Sequence, residues 1–342
     1  MASRTDTGKT KKRLRSIDDI ARICCVSKST VSRSLSDSPL VAEKTRERIK
    51  AVALEHGFQV NMPARRLSKR SSQTIAFVTH PFHKCFTVAD LFGLEIMGGV
   101  SRVLAEYRYD LLVVHMDPRD TEWAAQYLHT GRVDGFILMT SERKRTHVDQ
   151  LLRLGAPFVA WGFGKGKYCT VAGDDERGGR IATQHLASLG RRNIAFLGGP
   201  KVELEVQHRY RGYAEAMREA GLPLDPDLVA YGDYSDVSGE RAMKEILGRG
   251  KPVDAVFVNS DLMAISAMGY LRTRGLRVPE DIAVVGYDDL SIAAYSMPSL
   301  TTVSQNIPLA GRYLARDLIA YLETGVVTET VVPVELIRRA SA

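Results

Sequence analysis

Cysteine is scarce in this 342-residue chain: four residues, Cys24, Cys25, Cys85 and Cys169, with no Cys-x-x-Cys spacing. That argues against a disulfide framework and against a zinc site, so neither a metal nor a cofactor is expected. No apolar run approaches the ~20 residues of a membrane-spanning helix. The opening stretch, MASRTDTGKTKKRLR, lacks the apolar core of a secretory signal. A soluble, cytoplasmic protein with no membrane partner is expected. Catalytic signatures are missing too: there is no Gly-x-Ser-x-Gly, no His-Glu-x-x-His and no Walker A sequence. One loop, GFGKG at 162–166, superficially resembles a phosphate loop. A phosphate loop needs a helix immediately afterwards, and YCTVAG reads as another strand, so no enzyme is expected.

What the chain does have is unevenly placed charge. Residues 1–73 hold 17 Lys and Arg against 7 Asp and Glu, whereas the remainder holds 30 against 33. A basic end on a mildly acidic body points to a polyanion bound at that end. Residues 1–14 suit a disordered basic arm. Residues 16–58 are too regularly patterned for one, and three short helices can be read there.

In SIDDIARIC, Ser16 is a candidate N-cap with Asp19 three residues on. Ile17, Ile20, Ala21 and Cys24 then fall on one apolar stripe. In VSKSTVSRSL, Ser27 is the next N-cap and Val26 can staple onto Val31. Val31 and Leu35 face inward, while Lys28, Ser29, Ser32, Arg33 and Ser36 form a carboxylate-free opposite face. EKTRERIKAVALEHGF buries Ile49, Val52, Ala53 and Phe58, and Gly57 marks its end. Two short helices joined by a tight turn describe a helix-turn-helix, whose second helix fits the major groove. On this segment alone an ordinary amphipathic helix with a solvated face remains open. Cys24 continues the buried stripe and Cys25 sits in the turn, so packing rather than thiol chemistry is the expected role of the pair.

These residues carry a resemblance. DIARICCVSKSTVSRSL, TRERI and NMPARRL resemble the headpiece of the lactose/galactose repressor (LacI/GalR) family, and similarity runs from about residue 16 to 338. The resemblance implies a transcriptional regulator, most often a repressor, that binds double-stranded operator DNA as a homodimer. It implies base reading by Lys28, Ser29 and Arg33, with Ser27, Thr30 and Ser32 on phosphates or capping the helix. NMPARRL corresponds to the hinge helix, with Asn61 as its cap and Leu67 as an apolar wedge in the minor groove. Ala64 would lie close to that groove, and Arg65 and Arg66 suit phosphates. Relatives usually carry Ala-Gly or Ala-Asn where Cys24-Cys25 stand, because the turn residue needs positive φ. Ala42 stands where a Ser cap is common, a loss of about 1 kcal/mol.

After the polar linker LSKRSSQ, short β-rich runs alternate with helical ones. TIAFVT, YDLLVVH, DGFILM, PFVAW and CTVAG read as strands of one parallel sheet. From about residue 174 the alternation restarts with NIAFLGG, LVAYG, DAVFV and DIAVVGYDD. The chain is expected to be an all-α helix-turn-helix headpiece (15–59), a hinge helix and linker (60–73), and an α/β core like that of periplasmic binding proteins. The core comprises two doubly wound parallel-sheet lobes: 74–172 plus about 303–332, and 173–302 plus about 333–339. VVPVELIRR reads as one last strand, and nothing after residue 339 is expected to build a tetramer.

Ligands of such folds sit at the carboxyl ends of strands. By the resemblance, a small-molecule effector, a carbohydrate, binds the cleft between lobes. Arg209 in the Arg-x-x-Gly-aromatic motif RYRGYAEAM would clamp a hydroxyl or carboxylate. Ser260, Asp261 and Asp288 would accept hydroxyl protons, and Trp161, His80 and Phe86 would line the pocket. From the residues alone, Arg209 also reads as a solvated helix charge and Asp261 as a helix cap. Gly162 stands where some sugar-responsive relatives carry Asp. A sugar-binding receptor shares the two-lobed core and is the competing reading for the body.

Overall fold

The computed structural model describes residues 16–58, 71–79, 90–117, 119–139, 146–164 and 166–342. The chain divides between residues 70 and 71 into two units. In the first, α1 (Ile17–Ile23), α2 (Lys28–Leu35) and α3 (Glu43–Glu55) enclose a small core of Ile20, Ala21, Cys24, Val31, Ile49 and Ala53. Val26 and Leu35 pack on its edge. Ser16 and Asp19 close a reciprocal capping box on α1. Cys25 follows at φ +48°, in the left-handed region, while Ala42 precedes α3 without any side-chain cap bond.

The second unit contains two sheets wound one after the other. The first run is β1 (Thr74–Thr79), α4 (Leu91–Glu106), β2 (Asp110–His115), α5 (Trp123–His129), β3 (Gly135–Met139), α6 (Thr146–Leu154), β4 (Phe158–Trp161) and β5 (Cys169–Gly173). The second is α7 (Asp175–Ser188), β6 (Ile194–Gly198), α8 (Leu204–Glu219), β7 (Val229–Tyr231), α9 (Asp236–Gly248), β8 (Ala255–Val258), α10 (Asp261–Thr273), β9 (Ala283–Asp288), α11 (Ser291–Tyr295) and β10 (Thr301–Ser304). The chain then returns through α12 (Ile307–Thr324) and β11 (Glu329–Val332) to the first sheet, and ends with β12 (Glu335–Ile337) in the second.

The strand orders are β11-β5-β4-β3-β1-β2 and β12-β10-β9-β8-β6-β7. Strands such as Ile194–Gly198 and Gly135–Met139 are buried along their whole length because helices cover both faces, which explains their unbroken apolar character. Each fully buried Ile, Leu or Phe in them contributes about 1.5–3 kcal/mol. One expectation fails in detail. VVPVELIRR is not a single strand: Pro333 has no N–H to extend β11, and the chain steps across to form β12. β12 pairs antiparallel with β10, so the second sheet is not purely parallel.

Helices α7 and α8 cross at glycines. A Cβ on Gly212 would lie 1.9 Å from the Glu176 carbonyl oxygen, and one on Gly179 would lie 2.1 Å from that of Arg209. Only bare backbone permits this approach, and it is what brings Arg209 of α8 to Asp175 at the start of α7. The neighbouring Tyr213 is fully buried and its hydroxyl donates to the Ile194 carbonyl at 2.8 Å, anchoring α8 to β6.

Candidate functional site

Two surfaces carry the chemistry. On α2, the Ser27 hydroxyl accepts from the Thr30 N–H at 3.1 Å and sits 2.7 Å from the Ser29 hydroxyl and 2.8 Å from that of Thr30. The cap therefore holds Ser27, Ser29 and Thr30 in one cluster at the positive end of the helix dipole. Ser34 is buried and donates to the Thr30 carbonyl, so α2 keeps its inner face for packing. Lys28, Ser29, Ser32 and Arg33 are exposed. Lys28 pairs with Asp18 at 2.6 Å, but both side chains are largely solvated, 71% and 45%, so exchange for a phosphate or base edge costs little. Arg33 makes no ion pair among the described residues. Asn61, Ala64, Arg65, Arg66 and Leu67 lie outside the described residues, as do His80 and Phe86.

Within the second unit a cavity of about 550 Å³ opens at the carboxyl ends of strands of both sheets. Trp161 ends β4, Gly173 ends β5 and Asp288 ends β9; Asp90 and Ser260 cap α4 and α10 there. Glu205 and Arg209 reach it from α8, and Asp233, Tyr234 and Arg241 from the segment around the start of α9. Gln305 enters on the crossing from β10 to α12.

Arg209 is fixed before any ligand arrives. Its Nε donates to Asp175 Oδ1 at 2.8 Å and its Nη1 to the Asn259 carbonyl at 2.7 Å. The guanidinium carbon lies 3.7 Å from the centre of the Tyr287 ring, whose hydroxyl also donates to Asp175 Oδ1. Both partners of the ion pair are almost fully buried, 5% and 3% exposed. Burial works against the Arg209 charge, but the Asp175 carboxylate more than offsets it and holds the guanidinium well above its usual range.

Asp288 has φ +115° and a buried carboxylate that accepts from Gln305 Nε2 at 2.7 Å. Burial pushes it up to about 7, against the pull of Arg209. Burial likewise raises Glu205 to about 7 and Asp90 to about 6. Ser260 lines the cavity and caps α10 by accepting from the Met263 N–H. Asp261 is not part of the cavity wall: its oxygens accept from the Thr302 hydroxyl and the Leu290 N–H, tying α10 to the ends of β9 and β10. Trp161 meets Phe92 at 5.8 Å between ring centres. Gly162 has φ +123°, a backbone that side chains rarely adopt.

Reasoning from sequence missed Asp90, Phe92, Asp175, Glu205, Tyr234 and Gln305, all of which line the cavity. Asp90 ahead of LFGLE is an N-cap signal that could have been read. Gln305 has no local signature, since its position follows from the crossing.

Residues 16–61 match the family model for bacterial regulatory proteins, lacI family, and residues 183–342 that for a periplasmic binding protein-like domain. The HTH-type transcriptional regulator CelR of Thermobifida fusca is 38% identical over 327 residues, covering 94% of this chain and 95% of that protein. A solved CelR–cellobiose complex aligns with TM-score 0.74 and 34% identity over 96% of this chain and 99% of that one. The lac repressor dimer bound to operator and the anti-inducer ONPF aligns with TM-score 0.81 and 26% identity over 95% and 98%.

Proposed function

Because the chain belongs to the LacI family of bacterial regulatory proteins, and is a transcriptional regulator rather than an enzyme, we propose that it is a cytoplasmic, homodimeric repressor of a near-palindromic operator. A small carbohydrate in the cleft controls it. The observation that carries the DNA reading is the exposed, carboxylate-free face of α2, where Lys28, Ser29 and Arg33 read base edges and Ser27, Thr30 and Ser32 meet phosphates. Asn61, Ala64, Arg65, Arg66 and Leu67 form the hinge contribution, with Leu67 opening a central base step.

The effector reading rests on the cleft. Arg209 and Asp288 present fixed polar groups, Ser260 adds a hydroxyl, and Trp161 with Phe92 offers an apolar wall for ring faces. His80 and Phe86 complete the pocket in this reading, and Asp261 acts from behind by holding the strand ends. The relative solved with cellobiose supports a sugar of one or two rings. Selection of bound sequences from random duplex DNA tests the regulator reading. An enriched near-palindrome supports it; a blank both with and without a metabolite mixture favours a sugar receptor without a gene-regulatory role.

A further inference from the structure

We propose that the cleft admits only an uncharged polyol and rejects effectors carrying a phosphate or carboxylate group. The inference rests on the carbohydrate reading above and narrows it to a chemical class. Its first support is the charge of the wall. Among the described residues, Asp90, Asp175, Glu205, Asp233, Asp236 and Asp288 face the cavity, against two guanidinium groups, Arg209 and Arg241. Each cation already has a carboxylate beside it. Arg209 has spent Nε and Nη1 on Asp175 and the Asn259 carbonyl, while Arg241 stands by Asp233 and favours its ionised form. Even with Asp288 and Glu205 half protonated near pH 7, negative charge exceeds positive among the described lining residues.

The second support is the polarity of the hydrogen-bonding groups. Gln305 is 1% exposed, its Nε2 is committed to Asp288, and its Oε1 has no partner in the cavity wall. Together with the carboxylate oxygens this makes a wall of acceptors, which hydroxyl donors satisfy and phosphate oxygens do not. A dianion placed here would face like charges at short range in a partly desolvated space, whereas a neutral sugar meets acceptors for its hydroxyls and the Trp161–Phe92 pair for its C–H faces.

The test is calorimetric titration of the full-length protein with neutral mono- and disaccharides, including cellobiose, alongside their 6-phosphates and uronic acids. At least one neutral sugar binds, and its 6-phosphate binds on the order of 100-fold more weakly. A phosphate or uronate that binds as tightly as its neutral parent overturns the inference and leaves the carbohydrate reading standing. Failure of every sugar, charged or not, removes the carbohydrate reading and the inference with it. To separate charge from bulk, the titration is repeated at pH 8 with Glu205→Gln/Asp236→Asn, which keeps size but removes two carboxylates, both largely ionised at that pH. The gap between neutral and phosphorylated sugar then narrows by about tenfold; an unchanged gap means the rejection is steric and the charge argument is wrong.

Discussion

Replacing Arg209 by Met is expected to destabilise the second unit far more than loss of one side chain's packing would. The substitution keeps most of the aliphatic volume but removes the charge that compensates Asp175, which is 3% exposed and 2.8 Å from Arg209 Nε. Breaking a buried pair by removing one partner costs about 3–5 kcal/mol, because the other charge stays behind without compensation. The lost bond to the Asn259 carbonyl and the contact with the Tyr287 ring fall within that range. Two further arms isolate the cause. In Arg209→Met/Asp175→Asn the orphaned charge is gone, so at least half of the deficit returns. In the single variant the deficit shrinks as pH falls, since Asp175, already raised by burial, protonates and becomes cheap to bury. Denaturant unfolding followed by circular dichroism reads all three. A deficit below about 1 kcal/mol, or one unchanged by pH and by Asp175→Asn, refutes the reasoning.

Four other outcomes are expected. Gly212→Ala must open the α7–α8 crossing, because its Cβ would stand 1.9 Å from the Glu176 carbonyl; a loss of about 2–3 kcal/mol is predicted in the same unfolding assay. Cys25→Asn relieves the left-handed strain at φ +48° and raises headpiece stability by about 1 kcal/mol, measurable as a shift in its melting temperature. Asp288 titrates near 7 when folded and near 3.8 when unfolded, so between those values the folded state binds more protons and stability falls as pH rises. Asp288→Asn removes that term, and its stabilisation grows from nothing near pH 4 to at most about 4 kcal/mol above pH 7; a pH-independent gain contradicts the assignment. Arg33→Ala relaxes sequence preference at one base pair per half-site by about 1–3 kcal/mol, whereas Arg66→Ala weakens all sequences alike and lowers the salt dependence; equal effects on every sequence would dissolve that division of labour.

The comparison of sequence with structure divides along the range of the interactions. Local signals were readable: Ser16 with Asp19 and Ser27 with Thr30 cap their helices, and Ile20, Cys24, Val31 and Ile49 form the small core that the periodicity indicated. Most of the nine strands read as short apolar runs, β3 and β6 among them, are buried on both faces and so show a continuous apolar stretch, a one-dimensional property; the edge strands β2 and β7 are only partly buried. What was not readable depends on long-range packing. Asp261 follows a strand end, as the motif indicates, yet Thr302 and Leu290 turn its carboxylate away from the cavity. Gln305 and Asp288 are adjacent only because β9 and β10 pair in register, which places Ser304 beside Asp288. Pro333 was visible in VVPVELIRR, but whether it kinks one strand or separates two depends on which sheet edge each half reaches.

The central claim is that an uncharged sugar in the cleft and operator DNA on the headpiece are bound by one coupled molecule. The most direct test is to titrate the selected operator with and without saturating sugar, and to titrate the sugar with and without operator. Linkage requires the two affinities to change by the same factor, about 5–150-fold for a coupling of ordinary size. Equal factors in both titrations are the predicted result. An operator affinity that does not move when the cleft is saturated would contradict it.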